Sequence, residues 1–374
     1  MTNFTNENKV KFKNGRLRII HITDTHLSDD NIDMSLVLIE QACLREKPDI
    51  AVITGDNVQN YDDSSKTKKY IDRLMSIFDD QKIPVAVTFG NHDSETGAMS
   101  REELMAHYNT HPSSVSIDDG EELSGCGTYI VPVMSSDNSR IAFNLWIFDS
   151  GDYDEKGRYG CVLPDQVEWY KRVSDELTAA NNGQKVYSLA FQHMIVRDVY
   201  DALIKTDKRK LYSFPHMYNK DEYYLFNPEM KNFGTLNETP CSGYYNYGQF
   251  EAMVEKGDVL GIFTGHDHTN AFGVRYKGID IVNSLSTRFQ NDRFSSQYGY
   301  RILDVNENDT SRYESRVGRW YNMFTFKEIR SYKDKLLHKT AFAVTVKGLC
   351  QRFLTSTGRK FCSLVTGRQN TYPH

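Results

Sequence analysis

Short apolar runs rich in β-branched residues alternate along this chain with amphipathic stretches, and this alternation restricts the fold more than any other feature of the sequence. Apolar runs of about four to eight residues between turn signals are typical of strands buried on both faces. Seven such runs occur, at residues 17–23, 50–54, 85–89, 128–133, 141–148, 186–191 and 259–264. The pattern predicts an α/β protein whose sheets are covered by helices.

Helical periodicity lies between these runs. Apolar residues recur at the spacing of one helical face in three segments: Leu36, Ile39 and Cys43; Ile71, Leu74, Met75 and Phe78; and Tyr170, Val173 and Leu177. We expect these segments to be helices that pack on a sheet. Three further short runs, at 272–275, 279–282 and 300–303, predict antiparallel strands that close the domain.

The composition is that of an ordinary globular protein, with 39% hydrophobic and 25% charged residues among 374. No stretch approaches the roughly 18 apolar residues of a membrane helix, and the first residues lack the apolar core of a signal peptide. We therefore expect a cytoplasmic protein without a membrane partner. The six cysteines are scattered and form no C-x-x-C pair, which favours free thiols.

The charge is distributed unevenly. The formal net charge is −5, but residues 311–374 carry 13 Lys and Arg against 3 Asp and Glu. The remainder of the chain is therefore strongly acidic, which excludes an extended nucleic-acid-binding surface there, because neutralising phosphates needs clustered Lys and Arg. The oligomeric state stays open.

Polar, chemistry-bearing residues directly follow five of the predicted strands. The five motifs, in chain order, are Asp24-Thr25-His26, Gly55-Asp56, Gly90-Asn91-His92-Asp93, Gln192-His193 and Gly265-His266-Asp267-His268. In open α/β sheets, ligands bind at the carboxyl ends of the strands. The motifs therefore predict one shared site.

The residue types at these strand ends indicate a metal site. Carboxylate and amide oxygens and imidazole nitrogens suit Mn, Fe and Zn, whereas a structural zinc site would be expected to use thiolates. We expect Gly55, Gly90 and Gly265 to let the backbone turn sharply, so that the next side chain faces the cleft.

The motif order D-x-H, G-D, G-N-H-D, H, G-H-x-H resembles the calcineurin-like metallophosphoesterases, over residues 15–306. Residues 148–153 and 164–169 further resemble a branch close to short purple-acid-phosphatase-like hydrolases. The resemblance implies a four-layer αββα sandwich of two mixed β-sheets flanked by helices, with the metal site at the C-terminal strand ends. Residues 1–14 would be an N-terminal extension, and 307–374 a basic C-terminal extension of unknown role.

The resemblance also implies a set of ligands for two divalent metal ions, Mn, Fe or Zn. Asp56 would bridge the two ions. The other ligands, carried over by motif, are Asp24, His26 and His268 for one ion and Asn91, His193 and His266 for the other. The first motif contains His26, and no tyrosine stands in the position that gives the purple enzymes their colour. A ferric-tyrosinate centre is therefore not expected.

The implied activity is hydrolysis of phosphoric esters by a metal-bridging hydroxide that attacks phosphorus in line. His92 would assist the leaving group, and Asp93 would accept the other N–H of the His92 ring and fix its tautomer. Asp267 would orient one of the neighbouring ligands in the same way. A phosphomonoesterase is favoured; a phosphodiesterase acting on nucleotides and a catalytically silent metal-binding scaffold stay open as alternatives.

Several other residues receive a structural interpretation. His21 lies on a predicted strand and is expected to be a hydrogen-bonded core histidine. Residues 195–249 are rich in tyrosine and weakly periodic, as in a functional lid, and we favour packing as the role of His216 and the tyrosines beside it. Arg158 is expected to be a solvated loop residue, and Asn270 is a weak candidate for substrate contact.

Overall fold

The first sheet of the protein has five strands in the order β15-β14-β1-β2-β3. The computed structural model describes residues 10–323 except 30, 60, 117–122, 228, 231–232, 289–297 and 320–321. The five strands are β1 (Arg16–Ile22), β2 (Ile50–Thr54), β3 (Val85–Thr88), β14 (Gly299–Asn306) and β15 (Asp309–Arg319). Strands β1, β2 and β3 run parallel, and β14 is antiparallel to β1. The carboxyl ends of the three parallel strands therefore share one edge.

The second sheet has seven strands in the order β10-β12-β13-β11-β6-β5-β4. Their bounds are β4 (Tyr129–Met134), β5 (Ile141–Ile147), β6 (Ser188–Phe191), β10 (Phe233–Thr235), β11 (Val259–Thr264), β12 (Ala271–Tyr276) and β13 (Ile279–Asn283). Strands β5, β6, β11 and β13 are parallel neighbours. The expectation of antiparallel closing strands holds, because β12 pairs antiparallel with β13 and β14 with β1; β13 also pairs with β11 in parallel.

In the described part of the chain, five helices accompany the sheets: α1 (Ile32–Glu46), α2 (Ser64–Gln81), α3 (Arg101–Tyr108), α4 (Pro164–Ala180) and α5 (Gln249–Lys256). Two of them begin at clear N-caps. The Asp63 side chain accepts from Ser65 N at the start of α2, and Ser100 forms a capping box with Glu103 at the start of α3. A shorter 3₁₀ helix, Arg197–Ala202, follows β6.

Two hydrophobic cores hold these layers together. Because side chains alternate along a strand, neighbouring residues of β6 and β11 enter different cores. Phe191 and Phe263 pack in the core shared with the five-stranded sheet and helices α1, α2 and α3. Ala190 and Ile262 pack in the core that contains the buried faces of α4 and α5. The predicted αββα sandwich of two mixed sheets flanked by helices is confirmed.

The folded part extends beyond the boundaries expected at 15 and 306. Val10 and Phe12 are buried in the first core although they precede residue 15. Strand β15 pairs with β14 along the edge of the five-stranded sheet and reaches Arg319. Hydrogen bonds between strands define this edge, and the sequence pattern did not show it because few β15 side chains are apolar. Most of the basic C-terminal extension, residues 324–374, lies outside the described residues.

Other expectations about the core hold. His21 is fully buried, and its ring nitrogens bond Ser284 Oγ at 2.9 Å and Thr54 Oγ1 at 2.8 Å, as expected for a core histidine. Cys43, Cys161 and Cys241 are free thiols. Across the described residues, every helix is too short or too polar to cross a bilayer.

Candidate metal centre

The carboxyl ends of parallel strands from both sheets meet and bring the five sequence motifs together. Asp24, Asp56 and His92 follow the strands β1, β2 and β3 of the first sheet, and His193 and His266 follow β6 and β11 of the second. We call the gathered candidate ligands the strand-end cluster. It consists of Asp24, His26, Asp56, Asn91, His193, His266 and His268.

One half of the strand-end cluster joins four side chains. Asp24, His26, Asp56 and His268 each offer one ligand atom, and these atoms lie within 4.8 Å of one another. His268 Nε2 is 3.3 Å from Asp24 Oδ1, and His26 Nε2 is 3.7 Å from Asp56 Oδ2. The Nε2 atoms of His26 and His268 face each other at 3.0 Å. This half contains the three residues expected at one metal, together with Asp56.

The other half shares Asp56 with the first. Ligand atoms of Asp56, His193 and His266 also lie within 4.8 Å of one another, and His193 Nε2 is 3.2 Å from Asp56 Oδ2. The Asn91 amide nitrogen donates to Tyr153 Oη at 2.7 Å. The Asn91 Oδ1 atom is buried and makes no hydrogen bond, so it is free to act as an oxygen ligand.

Hydrogen-bond geometry shows that a cation fits between these groups. His193 Nδ1 lies 2.8 Å from Thr54 O, and because a carbonyl only accepts, Nδ1 carries the hydrogen. In a neutral His193 ring, Nε2 then presents a lone pair to Asp56 Oδ2. Both atoms are buried and neither makes a hydrogen bond. Two buried acceptors that face each other need a positive charge between them, so the residues fit a bound metal.

The electrostatics of the strand-end cluster also suit metal ligands, which must be neutral imidazoles and ionised carboxylates. Burial lowers the pKa of His26 to about 4 and that of His266 to about 3. Burial would raise the pKa of Asp24 and Asp56, but contacts with neighbouring histidines hold both below their usual range. His193 is the exception: burial opposes its charged form, yet the Asp56 carboxylate raises its pKa to about 10, so a bound metal ion would take the place of the proton on this ring.

Four members of the strand-end cluster have strained backbones. The φ angles are +52° at Asp24, +39° at His26, +51° at Asp56 and +70° at His266. The left-handed region costs a residue with a Cβ about 1–2 kcal/mol, and such strain concentrates at functional sites. Backbone bonds hold the strained turns: Asp24 N donates to Gly55 O at 3.0 Å, and His26 N to Asp56 O at 2.9 Å.

The three motif glycines serve close packing more than sharp turning. Gly55 does have a positive φ of +85°, as a sharp turn requires. Gly90 and Gly265 do not, which differs from the expectation. A Cβ at Gly90 would overlap Asp56 Oδ1, and one at Gly265 would overlap Thr23 Oγ1 and Asp24 Oδ2. These two glycines make room for the carboxylates of the cluster.

The His92 ring and the Asp93 carboxylate have other partners than the expected hydrogen bond to each other. His92 lies beside the cluster, with its ring centre 5.7 Å from that of His26, and its Nδ1 is 2.6 Å from Glu95 Oε2. Asp93 instead accepts three backbone N–H groups, from Asp56, Asn57 and Gly90, at 2.7, 2.9 and 2.8 Å. These bonds hold the Asp93 carboxylate inside the loop. The carboxylate that forms a hydrogen bond with the His92 ring is that of Glu95.

Asp267 and Asn270 also differ from their expected roles. Asp267 accepts from Asn270 Nδ2 at 2.9 Å and from Cys241 N at 3.1 Å, and no bond to a ligand histidine is present among the described contacts. Asn270 Oδ1 accepts from Asn237 N at 2.8 Å. Both side chains therefore attach the segment around 237–241 to the last motif. The hydrogen bonds of the Asn270 side chain serve this attachment and not contact with a substrate.

Sequence reasoning missed two residues that support the cluster. Arg101 on α3 donates to Gly90 O at 2.8 Å and pairs with Asp149, so it braces the loop that carries Asn91 and His92. The Tyr159 ring packs edge-on against His266, with ring centres 4.4 Å apart. Asp149 lies in the segment 148–153, which carries part of the family resemblance. Its partner Arg101 is distant in the chain, so the sequence pattern did not indicate this ion pair.

The tyrosine-rich segment forms a small three-stranded sheet of β7 (Leu203–Thr206), β8 (Phe214–Pro215) and β9 (Tyr223–Phe226). His216 is buried against Tyr200, with ring centres 4.3 Å apart, as expected for packing, whereas the neighbouring Tyr212 is 74% exposed. The rings of His216, Tyr218 and Tyr244 also line a cavity of about 600 Å³. Arg158 is not simply solvated: it bonds Asp154 Oδ2 at 2.6 Å and lies 3.6 Å from the centre of the Tyr244 ring.

A comparison with family models decides the classification. The model of the calcineurin-like phosphoesterases matches residues 17–270. The chain belongs to this family. The predicted resemblance is thereby confirmed, and membership assigns this calcineurin-like phosphoesterase to the hydrolases of phosphoric esters.

Two plant relatives of this chain are named as probable inactive enzymes. The chain is 25% identical over 360 residues to a protein of Arabidopsis thaliana named "Probable inactive purple acid phosphatase 14", covering 86% of this chain and 82% of that protein. It is 25% identical over 377 residues to "Probable inactive purple acid phosphatase 29" of the same plant, covering 88% and 86%. Among solved structures, a dimetal phosphatase from Danio rerio is 15% identical, with a TM-score of 0.50 and coverage of 81% and 96%. That likeness supports the fold.

Proposed function

We propose that this calcineurin-like phosphoesterase is a dinuclear-metal hydrolase of phosphoric esters with a preference for monoesters. Asp24, His26 and His268 would hold one ion. Asn91, His193 and His266 would hold the other, and Asp56 would bridge them. The observation that carries this proposal is the buried Asp56 Oδ2 atom, which lies 3.7 Å from His26 Nε2 in one half of the strand-end cluster and 3.2 Å from His193 Nε2 in the other, so that it can contact an ion in each half.

The charge of the strand-end cluster favours a phosphate substrate. With neutral imidazoles, Asp24 and Asp56 contribute two negative charges, which two divalent ions exceed by two. When bound, such ions lower the pKa of a coordinated water to about 7 and offset the charge on phosphoryl oxygens. The donors are nitrogen and oxygen, which suits Mn, Fe or Zn.

The chain itself supplies the proton for the leaving group. His92 Nδ1 is bonded to Glu95, so Nε2 is the atom that can give a proton to the leaving oxygen. The half-exposed His92 ring lies at the cleft and is not a member of either group of ligand atoms. Asp93 and Arg101 act as positioning residues, because they hold the backbone of the loop that carries His92.

Two alternatives each have an observation in their favour. The cavity lined by tyrosines favours a phosphodiesterase acting on nucleotides, because bases stack on aromatic rings. The plant relatives, which are named as probable inactive phosphatases, favour a catalytically silent metal-binding scaffold. Against the scaffold, every ligand position and His92 are filled in this chain. We also propose a cytoplasmic location.

The decisive experiment compares p-nitrophenyl phosphate with its bis ester on protein reconstituted with Mn, Fe or Zn, with metal content measured in the same samples. Faster turnover of the monoester supports the proposal, and faster turnover of the diester supports the first alternative. If protein with both ions bound at the strand-end cluster turns over neither ester faster than its Asp56→Asn variant does, the scaffold is correct and the hydrolase proposal fails.

A further inference from the structure

A second group of imidazole and carboxylate side chains lies on the outer helices. Asp72 of α2, His107 of α3 and His111 of the turn after α3 each offer one ligand atom, and these atoms lie within 4.8 Å of one another. We call them the helix-surface cluster. It shares no residue with the strand-end cluster, and no motif in the sequence indicates it.

The two histidines converge on one carboxylate oxygen. Asp72 Oδ1 is 2.7 Å from His107 Nε2 and 3.2 Å from His111 Nε2. A spacing of four residues places both rings on the same side of the chain where α3 ends. The backbone N–H of His111 bonds Tyr108 O at 3.2 Å, which continues this geometry past the last helical residue.

The hydrogen on His111 is fixed by a second carboxylate. His111 Nδ1 is 2.7 Å from Asp79 Oδ2, and Asp79 Oδ1 accepts from Ser113 N at 3.0 Å. Because an ionised carboxylate only accepts, Nδ1 carries the hydrogen. A neutral His111 then directs the lone pair of Nε2 at Asp72 Oδ1, so two acceptors face each other. A cation between them, either a metal ion or an extra proton, removes this conflict.

A metal ion fits this geometry after a small adjustment of one side chain. With zinc bonds of about 2.0–2.1 Å to nitrogen and oxygen, two ligands of a tetrahedral ion are about 3.3 Å apart. The separations of 2.7 and 3.2 Å need only a small outward movement of Asp72, whose side chain is 52% exposed. The His111–Asp79 bond is the carboxylate–histidine pairing that metal-binding histidines commonly make.

We propose that Asp72, His107 and His111 bind one zinc ion, with Asp79 orienting His111. Two nitrogens and one oxygen suit zinc, and the exposed side of Asp72 leaves a position for water. The ion links α2 to α3. Since Arg101 of α3 holds Gly90 O, it also stiffens the support of the loop that carries His92.

Zinc content after equilibrium dialysis of the full chain tests this proposal. The wild type retains one more zinc ion per chain than the His111→Gln variant. Asp80→Asn is the matched control, because Asp80 is an exposed residue of the same helix outside the cluster, and its zinc content equals that of the wild type. Anomalous diffraction at the zinc edge shows a peak between Asp72 and the two histidines.

The Asp79→Ala variant keeps all three ligands and removes the acceptor of the His111 Nδ1 hydrogen. It lowers zinc affinity by about 10–100-fold, the usual effect of losing a hydrogen-bond partner of a ligand. Equal zinc content in wild type and His111→Gln overturns the zinc site and leaves a protonated histidine in its place. Unchanged affinity in Asp79→Ala overturns the claim that Asp79 orients His111. Loss of ions from the strand-end cluster does not affect this readout.

Discussion

The protein contains two groups of His and Asp side chains with opposite construction. In the strand-end cluster, Asp24, Asp56 and His193 are at most 1% exposed and lie on loops with left-handed backbones or directly after buried strands. In the helix-surface cluster, Asp72 is half exposed and comes from a regular helix. A buried, strained site needs its surroundings to hold it, whereas a site on helices needs only the correct spacing. Substitutions should therefore affect the two clusters very differently.

Asp56→Asn is expected to give the largest difference. Asp56 belongs to both halves of the strand-end cluster, so the change removes the shared charge and weakens both ion sites. Because the ions supply several kcal/mol of transition-state stabilisation, we expect phosphoester turnover to fall by at least about 10³-fold. Metal content and turnover are measured together, with Asp80→Asn on α2 as the control. Full activity in Asp56→Asn would remove the functional distinction between the clusters.

His92→Ala tests whether the chemistry lies only at the strand ends. A general acid contributes about 10²–10⁴-fold, so kcat falls by that order while the metal content is unchanged. The loss is larger for an alkyl phosphate than for p-nitrophenyl phosphate, because nitrophenolate leaves readily without a proton. Equal losses on both substrates would assign His92 a structural role.

Gly90→Ala tests the claim that close packing holds the buried cluster. A Cβ there overlaps Asp56 Oδ1, and overpacking costs about 1–3 kcal/mol. We expect urea unfolding at a lower midpoint and weaker metal binding. Gly183→Ala is the control: its φ of +77° brings strain of about 1 kcal/mol, but nothing lies within 4 Å. If both variants bind metal like the wild type, packing at Gly90 does not support the cluster.

Asp198 provides a reference for a buried carboxyl away from both clusters. Burial and the neighbouring Glu251 carboxyl raise its pKa to about 7. A raised native pKa means that the folded protein binds the proton more tightly than the unfolded chain. Its contribution to stability is therefore present below about pH 4 and is lost as the pH rises to about 7.

We expect a loss on the order of 1–2 kcal/mol over this interval, with the carboxyl pair sharing part of the effect. The Asp198→Asn variant, followed by thermal unfolding between these pH values, shows a flatter dependence of stability on pH. An unchanged slope would mean that Asp198 is ionised throughout.

The sequence predicted those parts of the fold and site that depend on local patterns. All seven apolar runs became strands, because burial on both faces demands such runs. Strand β15 was missed because the run Asp309–Arg319 has no apolar alternation. This strand forms through hydrogen bonds to β14 at an exposed edge of the sheet.

In the site, the residues at strand ends were recognisable because each motif follows a buried strand. The roles of Glu95 and Arg101 were not recognisable. Within one loop, either Asp93 or Glu95 could have reached the His92 ring, and Arg101 contacts the loop from α3. The helix-surface cluster was missed for the same reason: Asp72 and His107 are separated in the chain and meet only when α2 packs beside α3.

Anomalous diffraction from crystals of metal-loaded protein tests the dinuclear strand-end centre most directly. The account predicts two peaks on either side of the Asp56 carboxylate, one beside Asp24, His26 and His268 and the other beside Asn91, His193 and His266. A single peak, or no peak at Asp56 in protein that contains bound metal, would contradict it.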